Sequence, residues 1–347
     1  MNISFARFGR ITRCGTMLLL CGLLLCTSVL HAADEVNVYS ARKEQLIKPL
    51  LERFTEQTGI EVNLLSAEAG ALLTRLRNEQ RNTPADMLIT VDAGNLQRAV
   101  EADVLQSVDS EALQQLVPAH LRHPDGLWYA LSVRSRVIFR HRERVPADAI
   151  NSYAQLADPA WRGRICIRSS DNIYNQSLVA ALIEHQGEAA TEAWAAGVVA
   201  NLARSPQGGD TDQLLAVAAG ECDLAVANTY YYARMLNDPQ QKATAEQLAV
   251  VWPDQDGHGA HINISGAAIT RHAPHPEAAR QLLEFLLSES SQQWYAEVNN
   301  EYPVREDVAA SEVLRALGEF NMDQLNLSVL GKNNAAAVML MDRAGWR

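Results

Sequence analysis

The chain has 347 residues, is 48% hydrophobic and 20% charged, and carries a formal net charge of −11. That length fits one large domain or two lobes of ordinary size, and the composition supports a sizeable core and excludes global disorder. The acidic balance argues against nucleic acid as a partner, because nucleic acid selects basic surfaces.

The first thirty-odd residues are a different material. Arg7, Arg10 and Arg13 make a basic start without an acidic residue, "TMLLLCGLLLCTSVL" follows as an apolar run, and "HAADE" returns to small and polar residues. This is the pattern of a secretory signal peptide over residues 1–33, cut near Ala32 or Ala33. The run is short for a span of ~20 residues, and no later stretch is long and apolar enough to cross a bilayer. The mature chain is therefore expected in the periplasm, not itself spanning the membrane. Cleavage removes three arginines and no acid, which takes the charge from −11 to −14. Of five cysteines only Cys166 and Cys222 survive it, in "GRICIRS" and "GECDLAVAN". An exported chain can pair them, and two separate buried thiols are the alternative. No CxxC or Cys/His spacing suggests zinc.

After the signal, "EVNVYSA" alternates like a strand, and Leu46, Ile47, Leu50, Leu51 and Phe54 then recur at helical spacing up to Gly59. "IEVNLLSAE" is strand-like, "GALLTRLRNEQR" helical, "ADMLITVD" a strand and "NLQRAVEADVL" helical. A second such block runs from "GRICIRSS" through "NQSLVAALIEHQG" and "TDQLLAVAAGE" to "CDLAVANT". Strands alternating with helices predict an α/β fold with mixed, mainly parallel sheets. Two long extended passages, "GLWYALSVRSRVIFRHRERV" and "EQLAVVWPDQDGHGAHINISGAAIT", flank the second block. They predict two lobes joined by a two-strand hinge, with ligand in the interlobe cleft. The expected boundaries are 34–132 with 258–307 for lobe 1, and 133–257 with 308–347 for lobe 2.

Three of the nine tyrosines stand together in "ANTYYYARML". Asn228 or Thr229 is a candidate N-cap after the strand, which puts Tyr230, Tyr231 and Tyr232 in the first helical turn. Successive helical residues project ~100° apart. Tyr230 and Tyr231 could then converge on one point beyond the helix end, with Tyr232 turned away. A phenolate is a hard anionic oxygen ligand. Its usual pKa of about 10 means that only a strongly acidic cation displaces the proton at neutral pH, and ferric iron is the natural candidate. Packing alone is the competing explanation for such a triplet.

From Val36 onward the chain resembles the periplasmic ferric-iron-binding proteins, the substrate-binding components of iron(III) ABC importers. "VNVYSAR", "PADMLITVD", "DPAWRGRICIRSS", "NIYNQSLVAALI", "ANTYYYARM", "GAHINISGAAI", "EYPVRE" and the terminal "AGWR" carry the likeness, in family order. It is closest to the subgroup that holds iron with three tyrosines. The resemblance implies a type II periplasmic-binding-protein fold, a binding rather than catalytic role, delivery of Fe³⁺ to an inner-membrane ABC permease, and a monomer. By motif, Tyr230 and Tyr231 match the paired ligands and Tyr174, in "RSSDNIYNQSL", the third. Ser170 or Asp171 could cap the helix that carries Tyr174.

Three phenolates balance Fe³⁺ but underfill an octahedron, so carbonate or another synergistic anion, or water, could complete it. Arg42 in "YSAR" and Arg134 in "SVRSR" are candidates to steer that anion, with Arg136 the alternative to Arg134. Several relatives carry His-Tyr just after the "YS.R" segment, where this chain has Lys43 and Glu44. Glu44 could ligate directly or through water, or could pair with Lys43 or face solvent. His258 and His261 are expected in loop and hydrogen-bonding roles, and Tyr39, Tyr129 and Tyr153 in structural ones. Asp86 and Asp92 could line the cleft or cap a helix. Two other readings stay open at this point: a receptor for a small organic or phosphonate-like solute on the same fold, and a secreted metal-dependent hydrolase. The latter lacks an evident base beside an open coordination position.

Overall fold

In the computed structural model, which describes residues 35–347, the alternating segments and helical repeats form a mixed sheet covered by helices. The expected signal peptide lies outside the described residues. The strands are β1 (Glu35–Ser40), β2 (Glu61–Ser66), β3 (Met87–Val91), β4 (Tyr129–His141), β5 (Ile165–Cys166), β6 (Leu224–Asn228), β7 (Leu248–Val251) and β8 (Ile262–Ile269). They are ordered β2-β1-β3-β8-β4-β6-β5, with β7 also paired to β4. β1–β2, β1–β3 and β5–β6 pair parallel, as crossover helices between them require. Every antiparallel pairing involves β4 or β8, the two long extended passages of the sequence.

β4 is the central thread. Its first half, Tyr129 to Ser135, pairs with β8, whereas Arg136 to His141 pairs with β6 and β7. The strand is buried almost throughout, which is why its sequence runs apolar on one face and Ser/Arg on the other. The apolar interior divides at the same point. One core gathers Val38, Leu50, Phe54, Ile89, Trp128 and Ile264. Two others lie beyond the crossing, one around Ile138, Tyr153, Leu178 and Trp194 and one around Phe139, Leu214, Tyr232 and Met235.

Six helices position the site: α1 (Ala93–Glu101), α2 (Ile173–Gln186), α3 (Asp210–Ala219), α4 (Thr229–Asn237), α5 (Ser328–Lys332) and α6 (Asn334–Arg343). The C-terminal segment connects the cores a further time. Leu327 and Leu330 pack with the first core, while Ala337, Leu340, Met341 and Trp346 pack with the second. At this crossing α5 lies directly on α1. A Cβ added to Gly331 would stand 2.2 Å from the Gln97 Cβ and 3.3 Å from the Gly94 carbonyl oxygen.

Cys166 and Cys222 form a disulfide with Cα atoms 5.9 Å apart, the outcome left open by the sequence. It ties β5 to the entry of β6, strands already paired in parallel register.

Two stability measurements follow from this packing. Gly331→Ala should lower stability by about 1–3 kcal/mol in urea unfolding, the usual range for overpacking. Replacing both cysteines by alanine should cost ~2–4 kcal/mol, because a 56-residue separation is closed by the bond.

Candidate metal centre

β6 is apolar and fully buried, and it runs straight into α4, so the tyrosine triplet begins where a strand becomes a helix. Asn228 holds the N-cap position with extended backbone, but its side chain does not cap the helix. Its Oδ1 accepts instead from Arg136 Nη1 at 3.3 Å. Its backbone N–H donates to Asp210 Oδ2 at 2.8 Å. The next residue, Thr229, accepts through Oγ1 from the Ser135 N–H at 3.3 Å. The junction is thus pinned to β4 and α3 on both sides of the peptide.

The triplet divides. The rings of Tyr230 and Tyr231 lie together, centroids 4.3 Å apart and tilted 33°. Tyr232 turns the other way: its ring packs 5.0 Å from Phe139, and its hydroxyl donates to the Leu248 carbonyl at 3.1 Å. Tyr174 meets the pair from α2. The Tyr230 hydroxyl donates to the Tyr174 hydroxyl oxygen across 3.3 Å, although 56 positions separate the two residues. Asn172, not Ser170 or Asp171, caps this helix, with Oδ1 accepting from the Tyr174 N–H at 3.1 Å. Ser170 and Asp171 contribute their carbonyls to Gln176 Nε2 instead.

The arginines named from the sequence have different fates. Arg136 is consumed internally: it donates to Asn175, Asn228 and the Val226 carbonyl and pairs with Asp210 at 3.0 Å. It has no capacity left for an anion, which sets aside the alternative to Arg134. Arg42 is buried, pairs with Glu301 at 2.6 Å and donates to Ser265 Oγ. Arg134, also buried, has only one long contact, Nη1 to Ser265 Oγ at 3.4 Å, and its Nε and Nη2 have no hydrogen-bond partner among the described residues. Its guanidinium carbon stands 5.5 Å from the centre of the Tyr174 ring. Buried N–H groups without partners are costly, and here a pair of them lies beside the Tyr174 ring.

The sequence reading missed Arg168 and Asp210. The Arg168 guanidinium sits 5.6 Å from the Tyr174 ring centre and pairs with Asp210 at 3.5 Å. Asp210 is fully buried at the first turn of α3 and joins Arg136, Arg168 and Asn228. Neither residue belongs to a recognisable spacing; the burial of Asp210 and the position of Arg168 over the Tyr174 ring distinguish them.

Electrostatically Tyr174 and Tyr230 are held protonated. Burial, followed by the neighbouring Tyr231, pushes Tyr174 up to about 12, against the opposing pull of Arg134 and the hydrogen bond from Tyr230. Burial and the other two tyrosines raise Tyr230 well above its ordinary value, again opposed by Arg134. Glu301 responds in the other direction. Burial would raise it, but Arg42, Arg134 and the Ser132 hydroxyl outweigh that and hold it below the usual carboxylate range.

Glu44 does not join the tyrosines. It lies in a short 3-10 turn, pairs with Lys48 at 3.2 Å and faces a surface depression whose lining includes none of the three phenols. Asp92 takes the capping role, accepting from Gly94 N–H at 2.9 Å, and also receives Ser177 Oγ at 2.7 Å. Asp86 accepts from the His275 N–H. Tyr39, Tyr129 and Tyr153 donate to Glu79, the Val108 carbonyl and the Arg136 carbonyl. The His258 ring stacks on His185 at 3.8 Å, and His261 is buried. Among the described residues no group of three or more His, Cys, Asp or Glu converges to hold a metal.

The chain is similar to known proteins over most of its length. Residues 82–321 match the family model for bacterial extracellular solute-binding protein. Iron uptake protein A1 of Synechocystis is 46% identical over 316 residues, covering 90% of this chain and 88% of that protein. The major ferric iron-binding protein of Neisseria meningitidis is 26% identical over 330 residues, 92% of this chain and 96% of that protein. Among solved structures, the Trichodesmium protein in complex with iron and citrate ligands superposes with a TM-score of 0.87 at 45% identity, covering 90% of this chain and all of that one. Mannheimia haemolytica ferric iron-binding protein A in an open conformation gives 0.84 at 43% identity, covering 90% and 99%.

The phenols can be read directly by absorbance. In a metal-free alkaline titration, Tyr174→Phe should delete a component that ionises near 12. Arg134→Gln removes a cation that favours phenolate, so it should move that component to higher pH. Tyr232→Phe should leave it in place while costing about 1 kcal/mol of stability for the lost hydrogen bond.

Proposed function

The chain belongs to the bacterial extracellular solute-binding proteins, and its relatives there are periplasmic iron-binding transport proteins, not enzymes; we propose that it binds Fe³⁺ through the phenolates of Tyr174, Tyr230 and Tyr231. The observation that carries the assignment is the meeting of the Tyr174 and Tyr230 hydroxyls at 3.3 Å, from helices far apart in sequence, with the Tyr231 ring alongside. Phenol oxygens this close can touch one small ion. A hard trivalent cation supplies the driving force to expel protons that burial otherwise retains. The solute-receptor and hydrolase readings lose their ground, because the relatives are named for iron.

Arg134 supports a bound anion, carbonate or a similar oxyanion, beside the ion: its unpartnered N–H groups offer charge-assisted hydrogen bonds to the ligand that completes the coordination sphere. Arg42 is assigned to orientation of that neighbourhood through Ser265, a hydroxyl the two arginines share. Arg136 and Glu44 are left out of the ligand sphere. The two lobes meet along β4 and the passage before β8, iron sits in the cleft between them, and closure presents the loaded form to the membrane permease that the family implies. The protein acts as a monomer in the periplasm. Among the described residues no helix is long and apolar enough to cross a membrane.

Ferric loading should produce a visible phenolate-to-iron charge-transfer band, abolished in the triple Tyr→Phe variant together with iron binding. Each phenol yields a proton to the metal, so affinity should fall about tenfold per pH unit of acidification for every proton displaced. A colourless iron-loaded protein, or iron binding unchanged in the triple variant, would refute the assignment.

A further inference from the structure

One residue beyond the helix Glu289–Glu297 comes a buried polar tripeptide, Asn299-Asn300-Glu301, of which the ligand chemistry engages only Glu301, through Arg42. Each of its side chains is tied to a different element. Asn299 Nδ2 donates to the Leu46 carbonyl at 3.1 Å, in the turn that follows Arg42. Glu301 pairs with Arg42 at 2.6 Å and accepts from Ser132 Oγ at 2.5 Å. Between them Asn300 adopts a left-handed backbone, φ 56°, and its Oδ1 accepts from Asn237 Nδ2 at 2.9 Å. Asn237 is the last residue of α4, the helix whose first turn carries Tyr230 and Tyr231. One turn earlier, Arg234 lies over the Tyr230 ring at 4.9 Å and reaches the Asn299 carbonyl at 3.4 Å.

The flanking residues Tyr295 and Tyr302 belong to the first core, whereas Tyr232 and Met235 of α4 belong to a core beyond the β4 crossing. The tripeptide therefore bridges the two sides of the fold. A non-glycine residue held at positive φ costs free energy and persists where surrounding contacts fix it. Here that backbone is what delivers the Asn300 amide to Asn237.

We propose that the Asn237–Asn300 pair is a clasp that sets how long iron is retained, by fastening the first lobe to the end of the tyrosine helix without touching the metal. This rests on the iron assignment above. With Glu44 turned to the surface, the first lobe offers no carboxylate ligand at that position to hold the cleft shut. The clasp supplies that hold through an amide pair whose acceptor, Asn300, is buried and whose donor, Asn237, is exposed at the helix end, and Asn237 and Asn300 are positioning residues, not ligands.

The test uses the iron-loaded protein and follows loss of the charge-transfer band into an excess of a ferric chelator. The variants are Asn237→Ala, Asn300→Gly, which keeps the left-handed backbone accessible while removing the acceptor, and the double variant. Each single change should speed release about fivefold, the effect of one hydrogen bond. The double variant should release no faster than either single one, and the band position should stay that of wild type. Thermal melts run alongside identify a variant that fails to fold, in which case Asn237→Ser, which shortens the donor, takes its place. Wild-type release rates with a normal band overturn the clasp alone, as do effects that multiply to about 25-fold in the double variant, since the pair would then be uncoupled. Absence of the band in wild type overturns the iron assignment and the clasp with it.

Discussion

One buried carboxylate fixes the geometry on which the centre depends. Asp210 enters at the start of α3 and receives the Arg136 guanidinium at 3.0 Å and the Asn228 backbone N–H at 2.8 Å through the same oxygen. Its other oxygen faces Arg168 at 3.5 Å. Removing any one partner leaves charge stranded in a fully buried site, which is far more costly than losing an exposed ion pair. The strand end of β6 is therefore held to α3 and β4 at the residue before the tyrosine helix begins. The aim of Tyr230 and Tyr231 is inherited from this knot, since a helix start fixed in position fixes the directions of the side chains in its first turn.

Arg134 and Arg136 show how strand geometry separates structure from binding. Two residues apart on β4, they share a face of the sheet, yet they fall on opposite sides of the point where β4 changes partners. Arg136 is surrounded by acceptors from β6, α2 and α3. Arg134 finds a single distant hydroxyl and the ring of Tyr174. The nearby acids do not neutralise it by contact. Asp92 is engaged by Gly94, Ser177 and Asn263, and Glu301 by Arg42 and Ser132. The result is a cation whose charge is felt by both carboxylates and whose N–H groups remain free for something that arrives from outside.

Much of this was legible in the sequence because it is written locally. Alternation and helical periodicity gave the α/β class, and the two long extended passages gave the crossings. The division of the tyrosine triplet followed from ~100° per residue at a helix start. The meeting of Tyr174 with Tyr230 was legible only through resemblance, since nothing in the spacing of two helices 56 residues apart dictates contact. The cap of α2 falls one or two residues later than Asp171 or Ser170, because Ser, Asp and Asn in "SSDN" are all competent caps and the choice rests on backbone direction. Arg168 and Asp210 were invisible for a related reason: an arginine and an aspartate are ordinary on a surface and become informative only once the burial of Asp210 and the place of Arg168 against Tyr174 are known. The same holds for Glu44, whose partner Lys48 is one helical turn away, a pairing as available to the sequence as the ligand role it displaced.

All three phenols belong to the part of the fold beyond the β4 crossing, on helices that pack with its two cores. Their arrangement is thus complete within one half of the molecule and does not wait for the other. A receptor built this way can be occupied while still ajar. Occupancy and shape become two separate variables, and a membrane partner that recognises only the shut form would count not every ion that has landed, but only those the protein has also committed to keep.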